Sequence, residues 1–368
     1  MSNMKLILIE DDLQDVNLCQ NALEDFNDDH GCCIELEICH NIEDGLKALE
    51  KSYFDGAIID MRLAAVGNEG NKALDVIREH LKRIPVVICT GTPDAVSLSD
   101  DIPLIEVFKK GDVTYTEIIQ IFWDIYITGL TRIMGGIGQI EKSLSKIFIK
   151  YLLPEVFPSS TQPEKSNWVD YAQRNPDDTE KALLRHTLNH IIHELYKSSE
   201  NCYPEEMFIH LRTPISINTG CILKHKKSDT FYIVMSPACD LAERKSGRCN
   251  TDRALLVEIQ TLDDILSNNE KYQTASTEEQ KESIKKSLFR PIKNNNGGLY
   301  YHWIPLTYSC KDGAVINFRR LSTYTKKELG DEFCDPLIQV TSSFLKNIVS
   351  RFSSYYARQG QPDINFMI

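Results

Sequence analysis

Within its first 128 residues the chain alternates short apolar runs with amphipathic segments, and no other feature narrows its fold as much. KLILIE (5–10), IELEICH (34–40), DGAIIDMRL (55–63), PVVICTGT (85–92) and IEVFKK (105–110) read as strands, being short, rich in Ile, Val and Leu, and bounded by polar residues. DVNLCQNALEDF (15–26), IEDGLKALEKS (42–52), NKALDVIREHLKR (71–83) and TYTEIIQIFWDIYI (114–127) place their apolar residues at helical spacing. Five strands alternating with helices predict an α/β fold, a doubly wound five-stranded parallel sheet covered on both faces. Sites in such sheets form at the carboxyl ends of the strands.

Those ends carry unusual chemistry. The first run stops at Glu10, Asp11 and Asp12, the third at Asp60, the fourth at Thr90, and the fifth at Lys109 and Lys110. Like-charged acids driven together repel, and each favours water. A hard divalent cation among the oxygens makes such a cluster tolerable, and Mg²⁺ typically takes one or two carboxylates plus waters and phosphate oxygens. One carboxylate is then placed to attack a phosphoryl group, giving an aspartyl phosphate. A hydroxyl and an ammonium suit the phosphoryl oxygens.

This ordered set resembles the receiver domain of bacterial response regulators over about residues 4–128. LILIEDD looks like that family's first strand with its acidic pair, which implies Glu10 and Asp11 as metal-site acids. AIIDMRL implies Asp60 as phospho-acceptor and further metal ligand, with the backbone carbonyl of Arg62 as another. VVICTGT implies Thr90 as the switch hydroxyl, and VFKKGD implies Lys110 as the active lysine. The resemblance therefore implies Mg²⁺ as cofactor and a histidine kinase or phosphotransfer protein as partner. It implies a phospho-accepting regulator whose only chemistry is phosphorylation and dephosphorylation at Asp60. Two positions depart from the pattern. Val107 stands where an aromatic switch residue is usual, and Gly111 where proline follows the lysine.

The net charge is confined to the same region. Of a net charge of −12, residues 1–60 account for all: fifteen acids against Lys5, Lys47 and Lys51. This argues against nucleic acid as a general partner. No apolar run reaches the roughly 18 residues of a membrane span, no signal peptide opens the chain, and the eleven cysteines show no secreted-type framework. A cytoplasmic protein is expected.

Three domains are expected: a receiver over 1–128, a helical connector over 129–204, and a β-rich output or docking domain over 205–368. In the connector, GQIEKSLSKIFIKYLLPEVF (138–157) is helical and stopped by Pro154, and PSSTQPEKSN (158–167) is an exposed link. The connector needs a partner surface for its apolar stripe, either the receiver's flank or a second copy in a homodimer. DDTEKALLRHTLNHIIHELYKSS (177–199) sets His186, His190 and His193 on one face. A metal site there lacks the HExxH pattern and any neighbouring carboxylate or thiol pattern, so packing and surface roles are expected. HLRTP at His210 resembles a sensor-kinase phospho-accepting box, but lacks its acid and any following nucleotide lobe, and reads as accidental.

GCILKHK, TFYIVMSPACDLA, RALLVEIQTL, LYYHWIPLTYS and GAVINFRRLS are short β runs, predicting an SH3-like or small-barrel domain. A polar insertion (267–286), mobile and partly helical, leads to the turn NNNGG (294–298), and a terminal helix is expected over 336–359. SPACDL weakly resembles a Cys-Asp signature of small barrels in bacterial defence-associated proteins, with Cys239 and Asp240 as its site residues. Cys239 and Cys249 are candidate metal ligands, joined by Cys221 or His225, though their spacing matches no common zinc motif and buried structural thiols are the plainer reading. Three functions are open: a regulator signalling through its C-terminal domain, a receiver-gated effector enzyme acting on nucleic acid or nucleotide, and a phosphate sink.

Overall fold

A computed structural model describes residues 3–63, 70–79, 83–91, 93, 104–136, 138–156, 167–196, 201–211, 216–244, 249–290, 292, 295, 299–305, 313–336 and 338–358. The link at 158–166, the HLRTP segment beyond Leu211, most of NNNGG and the end of the terminal helix region lie outside them. The chain divides into two compact units, Met1–Ser198 and Ser199–Ile368.

In the first unit, strands β1 (Met4–Ile9), β2 (Ile34–Cys39), β3 (Gly56–Ile59), β4 (Val86–Thr90) and β5 (Leu104–Lys109) form one parallel sheet in the order β2-β1-β3-β4-β5. The expected α/β sheet is thus present, with its chain reversal between β1 and β3. Period-two alternation sends Leu6 and Leu8 of β1 to one face and Ile7 and Ile9 to the other. Leu6 and Leu8 meet Val16, Cys19, Leu23 and Phe26 of α1 (Leu13–His30) and Ile118, Ile119 and Phe122 of α4 (Tyr115–Ile127). Ile7 and Ile9 meet Leu49 of α2 (Ile42–Lys51) and Ala73, Leu74 and Ile77 of α3 (Gly70–Glu79). Burial on both faces is why the strands read as unbroken apolar runs. Gly56 marks a close approach: a Cβ there would strike the Phe122 ring.

The connector begins against the flank of this sheet. Thr131 of α5 (Leu130–Met134) is buried and donates to Asp55 at 2.5 Å. Gly136 lies where a Cβ would strike the Tyr53 ring, and Arg83 pairs with Glu141 of α6 (Gln139–Ile147). Pro154 does not stop the helix, contrary to expectation. A π turn over Phe148–Leu152 leads into α7 (Leu153–Val156), with the Leu153 N–H bonded to the Phe148 carbonyl, and this widened turn accommodates the proline ring. The helices α8 (Asn167–Arg174) and α9 (Pro176–Tyr196) follow. Along α9, Leu184, Leu188, Ile192 and Leu195 form an exposed apolar row.

The second unit is a curled antiparallel half-barrel of seven strands, ordered β10-β11-β9-β8-β7-β12-β6. Its strands are β6 (Phe208–His210), β7 (Cys221–Lys224), β8 (Phe231–Val234), β9 (Arg253–Thr261), β10 (Tyr301–Ile304), β11 (Ala314–Thr325) and β12 (Ile338–Val340). A register shift between Ile316 and Leu321, where β11 pairs β9, lets the long strand bend. Helix α15 (Ser342–Tyr356) lays Phe344, Leu345, Ile348, Phe352 and Tyr355 on the sheet's core. The helix starts later than expected, because Ile338–Val340 form the strand β12 and the helix begins only after Thr341, whose hydroxyl donates to the Glu206 carbonyl at 3.1 Å. The polar insertion folds into α12 (Glu270–Gln273) and α13 (Glu278–Phe289), anchored by Phe289 on Leu262 and Leu266 of α11 (Leu262–Ser267). The remaining short helices are α10 (Ala238–Leu241) and α14 (Lys326–Glu332).

Candidate functional site

The sheet brings the predicted residues of the first unit to one edge. Glu10 follows β1, Asp60 follows β3, Thr90 closes β4 and Lys110 follows β5. Backbone bonds hold these ends in register: Asp60 N–H to Ile9 O at 3.0 Å, and Lys110 N–H to Thr90 O at 3.0 Å. Glu10, Asp60 and Thr90 are buried polar residues in an otherwise apolar sheet.

Lys110 is the centre of the cluster. Its ammonium donates to Glu10 Oε2 at 2.6 Å, Asp15 Oδ2 at 2.6 Å and Asp60 Oδ2 at 3.0 Å. Burial opposes the lysine's charge, but the bonds from Asp15, Glu10 and Asp60 outweigh it and hold its pKa above the ordinary lysine value. For Glu10 the balance runs the other way. Burial dominates the opposing bonds from Lys110 and the Asp12 N–H, and the carboxyl is pushed up to about 7.

Asp15 is the residue sequence reasoning missed. It lies in the first turn of α1, and helical side chains lean back toward the N-terminus, which returns it to the acids. Its signal was the continuation of EDD into EDDLQD. Asp12 has a different task. It is the N-cap of α1, accepting from the Gln14 N–H at 2.8 Å, so one of the three consecutive acids is a helix cap.

Oxygens of Glu10, Asp11 and Asp60 lie within 4.8 Å of one another. That all-carboxylate set, open on the exposed Asp11 side, fits a hard divalent cation such as Mg²⁺. The Arg62 N–H donates to Asp60 Oδ1 at 3.2 Å, so the residue expected to offer its carbonyl stands beside the acid. Gly111 adopts φ +91, which proline cannot reach. The lysine loop is therefore built differently from one carrying proline, and the Asp112 N–H closes it on the Lys109 carbonyl. Val107 is half-buried and packs with the α2/α3 face.

The parallel order β2-β1-β3-β4-β5, with acids, hydroxyl and lysine at the strand ends, decides the fold. The sheet and helices within residues 3–127 have the receiver fold. Solved structures similar to them include the N-terminal domain of a response regulator/sensory box/GGDEF protein from Carboxydothermus hydrogenoformans. It is 17% identical, with a TM-score of 0.28, over 34% of this chain and 98% of that one. A CheY-like receiver from Methanospirillum hungatei JF-1 is 16% identical, with a TM-score of 0.28, over 34% of this chain and 96% of that one. The receiver domain of a sensor histidine kinase from Pseudomonas aeruginosa PAO1, described with magnesium in its active-site cleft, is 16% identical, with a TM-score of 0.26, over 33% of this chain and 97% of that one. No protein-family profile and no curated protein matches the chain.

The C-terminal candidates do not converge. Cys239 and Asp240 sit in α10, with the exposed Cys239 thiol 3.8 Å from Asp240 Oδ1. Cys249 donates to the Leu241 carbonyl, and buried Cys221 to Gln339 Oε1. His225 Nδ1 accepts from the Ser228 N–H. Among the described residues, no metal-ligand cluster includes any of them. Cys249 lines a cavity of about 570 Å³ with Asp252, Leu329 and Phe333.

Proposed function

We propose that the receiver accepts a phosphoryl group on Asp60, from a partner histidine kinase or phosphotransfer protein, in a two-component-type system. The observation that carries this is Lys110, whose ammonium joins Glu10, Asp15 and Asp60 at the strand ends. In the transfer an Asp60 carboxylate oxygen attacks phosphorus. A new O–P bond forms as the donor's bond to phosphorus breaks, and the donor group leaves with that electron pair. Glu10, Asp11, Asp60 and the Arg62 carbonyl would hold Mg²⁺, which supplies positive charge for the phosphoryl oxygens when bound. Lys110 then exchanges part of its carboxylate bonding for the incoming oxygens, and Thr90 offers its hydroxyl from the end of β4.

The second unit acts as output or docking module in this reading, and the connector carries the change from the receiver flank that Thr131 and Asp55 define. The exposed row on α9 makes a second copy of the chain the alternative partner, decided by sedimentation equilibrium. No helix among the described residues is long and apolar enough to cross a membrane, which agrees with a cytoplasmic site of action. A role in bacterial defence stays with the weak SPACDL likeness alone. The scattered C-terminal candidates favour a docking module over an effector enzyme; a phosphate sink needs no output at all.

Acetyl phosphate with Mg²⁺ should add one phosphoryl group by intact mass. Equal labelling of Asp60→Asn protein would refute the assignment.

A further inference from the structure

In a cluster separate from the strand-end acids, three side chains of the connector converge. Glu155 of α7 and His186 and His190 of α9 bring their ligand atoms within 4.8 Å of one another. His186 Nε2 lies 2.9 Å from Glu155 Oε2 and 3.2 Å from His190 Nε2, and His190 Nε2 lies 3.7 Å from Glu155 Oε1. The third histidine expected on this face, His193, is exposed and outside the cluster.

Protons satisfy this geometry only in part. A neutral imidazole nitrogen offers one in-plane position, either an N–H or a lone pair. With the proton on Nε2 of both rings, each points at one Glu155 oxygen, at 2.9 Å and a long 3.7 Å, and the two nitrogens face each other at 3.2 Å with no bond between them. A single cation satisfies both nitrogens and the carboxylate together. The spacings also suit one: bonds of 2.0–2.1 Å in a tetrahedron put neighbouring ligand atoms about 3.3 Å apart.

We propose that Glu155, His186 and His190 bind one divalent transition-metal ion of the zinc type, which staples α7 to α9. Two imidazoles and a carboxylate select zinc over magnesium, whose ligands are oxygens. The rings are already held. Tyr151 stacks on His190 with centroids 5.1 Å apart, and Trp168 lies against His186 at 5.8 Å. All three ligands are partly exposed, with side-chain exposures of 42% for Glu155, 36% for His186 and 20% for His190, so water reaches the fourth position. Glu155 stands 31 residues before His186, so the ion would fasten together segments that the chain joins only through a long link.

Co²⁺ tests this, because its visible bands report ligand type. Full-length protein in excess Mg²⁺, which occupies oxygen-only sites, is titrated with Co²⁺. The expected result is one equivalent with tetrahedral d–d bands, no thiolate charge-transfer band, and displacement by Zn²⁺. His186→Gln and His190→Gln should each weaken binding about 100-fold, with far-UV circular dichroism unchanged. Glu155→Gln should weaken it less, and Asp11→Ala should leave it intact. Absence of tetrahedral bands in the wild type, a thiolate band, or unchanged binding in both His→Gln variants would overturn the site. Loss of binding in Asp11→Ala would assign the ion to the receiver instead.

Discussion

Replacing Lys110 with methionine isolates what holds the acid cluster together. The substitution keeps most of the unbranched side chain and removes its charge, leaving Glu10, Asp15 and Asp60 facing one another. Breaking a buried ion pair from one side costs about 3–5 kcal/mol. Here the cost falls below that range, about 2–3 kcal/mol. The side chains of Lys110 and Asp15 each keep 22% exposure, and Glu10, already at about 7, can take a proton. The assay is urea denaturation of the full chain, with hydrogen exchange at the amides of β1 and β3 to place the loss in the N-terminal sheet. Millimolar Mg²⁺ should restore more stability to Lys110→Met than to wild type, since the ion replaces the missing positive charge. Unchanged exchange at β1 and β3, or an equal Mg²⁺ gain in both proteins, would refute the view that lysine and cation share one set of carboxylates.

Three further outcomes follow from particular residues. His302 is buried with its Nδ1 unpartnered, and burial together with the Arg351 charge lowers its pKa to about 4. The unfolded state therefore binds more protons between pH 6.5 and 4. The half-barrel should lose about 2 kcal/mol on going from pH 7 to pH 5, and His302→Leu should flatten that slope in denaturant titrations. Gly111→Pro forces a residue fixed near φ −65° into a loop at φ +91; it should cost about 1–3 kcal/mol and slow phosphoryl incorporation from acetyl phosphate. Hydrogen exchange over 129–155 should change with beryllofluoride; identical protection in both states would favour the phosphate-sink reading.

How far the sequence disclosed this molecule depended on the range of the interaction. Glu10, Asp60, Thr90 and Lys110 were legible because each ends an apolar run, and strand ends are where a parallel sheet gathers its chemistry. Asp15 was not, because its place depends on how α1 turns back over the strand ends. Pro154 looked like a stop, since a one-dimensional pattern carries no sign of the π turn that makes room for it. Ile338 and Val340 fit both strand alternation and the approach to a helix, and pairing with β6 and β7 settled them as β12. The His186/His190 spacing was visible along the helix, whereas Glu155 reaches it only through tertiary packing.

The proposed function requires that Asp60, Thr90 and Lys110 form one phosphoryl-binding site supported by the Glu10/Asp11 acids. Fluorine-19 NMR of full-length protein with beryllofluoride reads that site directly, without turnover or a partner kinase. Bound resonances should require both Mg²⁺ and beryllium and vanish in Asp60→Asn. Their absence from wild-type protein at saturating Mg²⁺, or their persistence in Asp60→Asn, would contradict it.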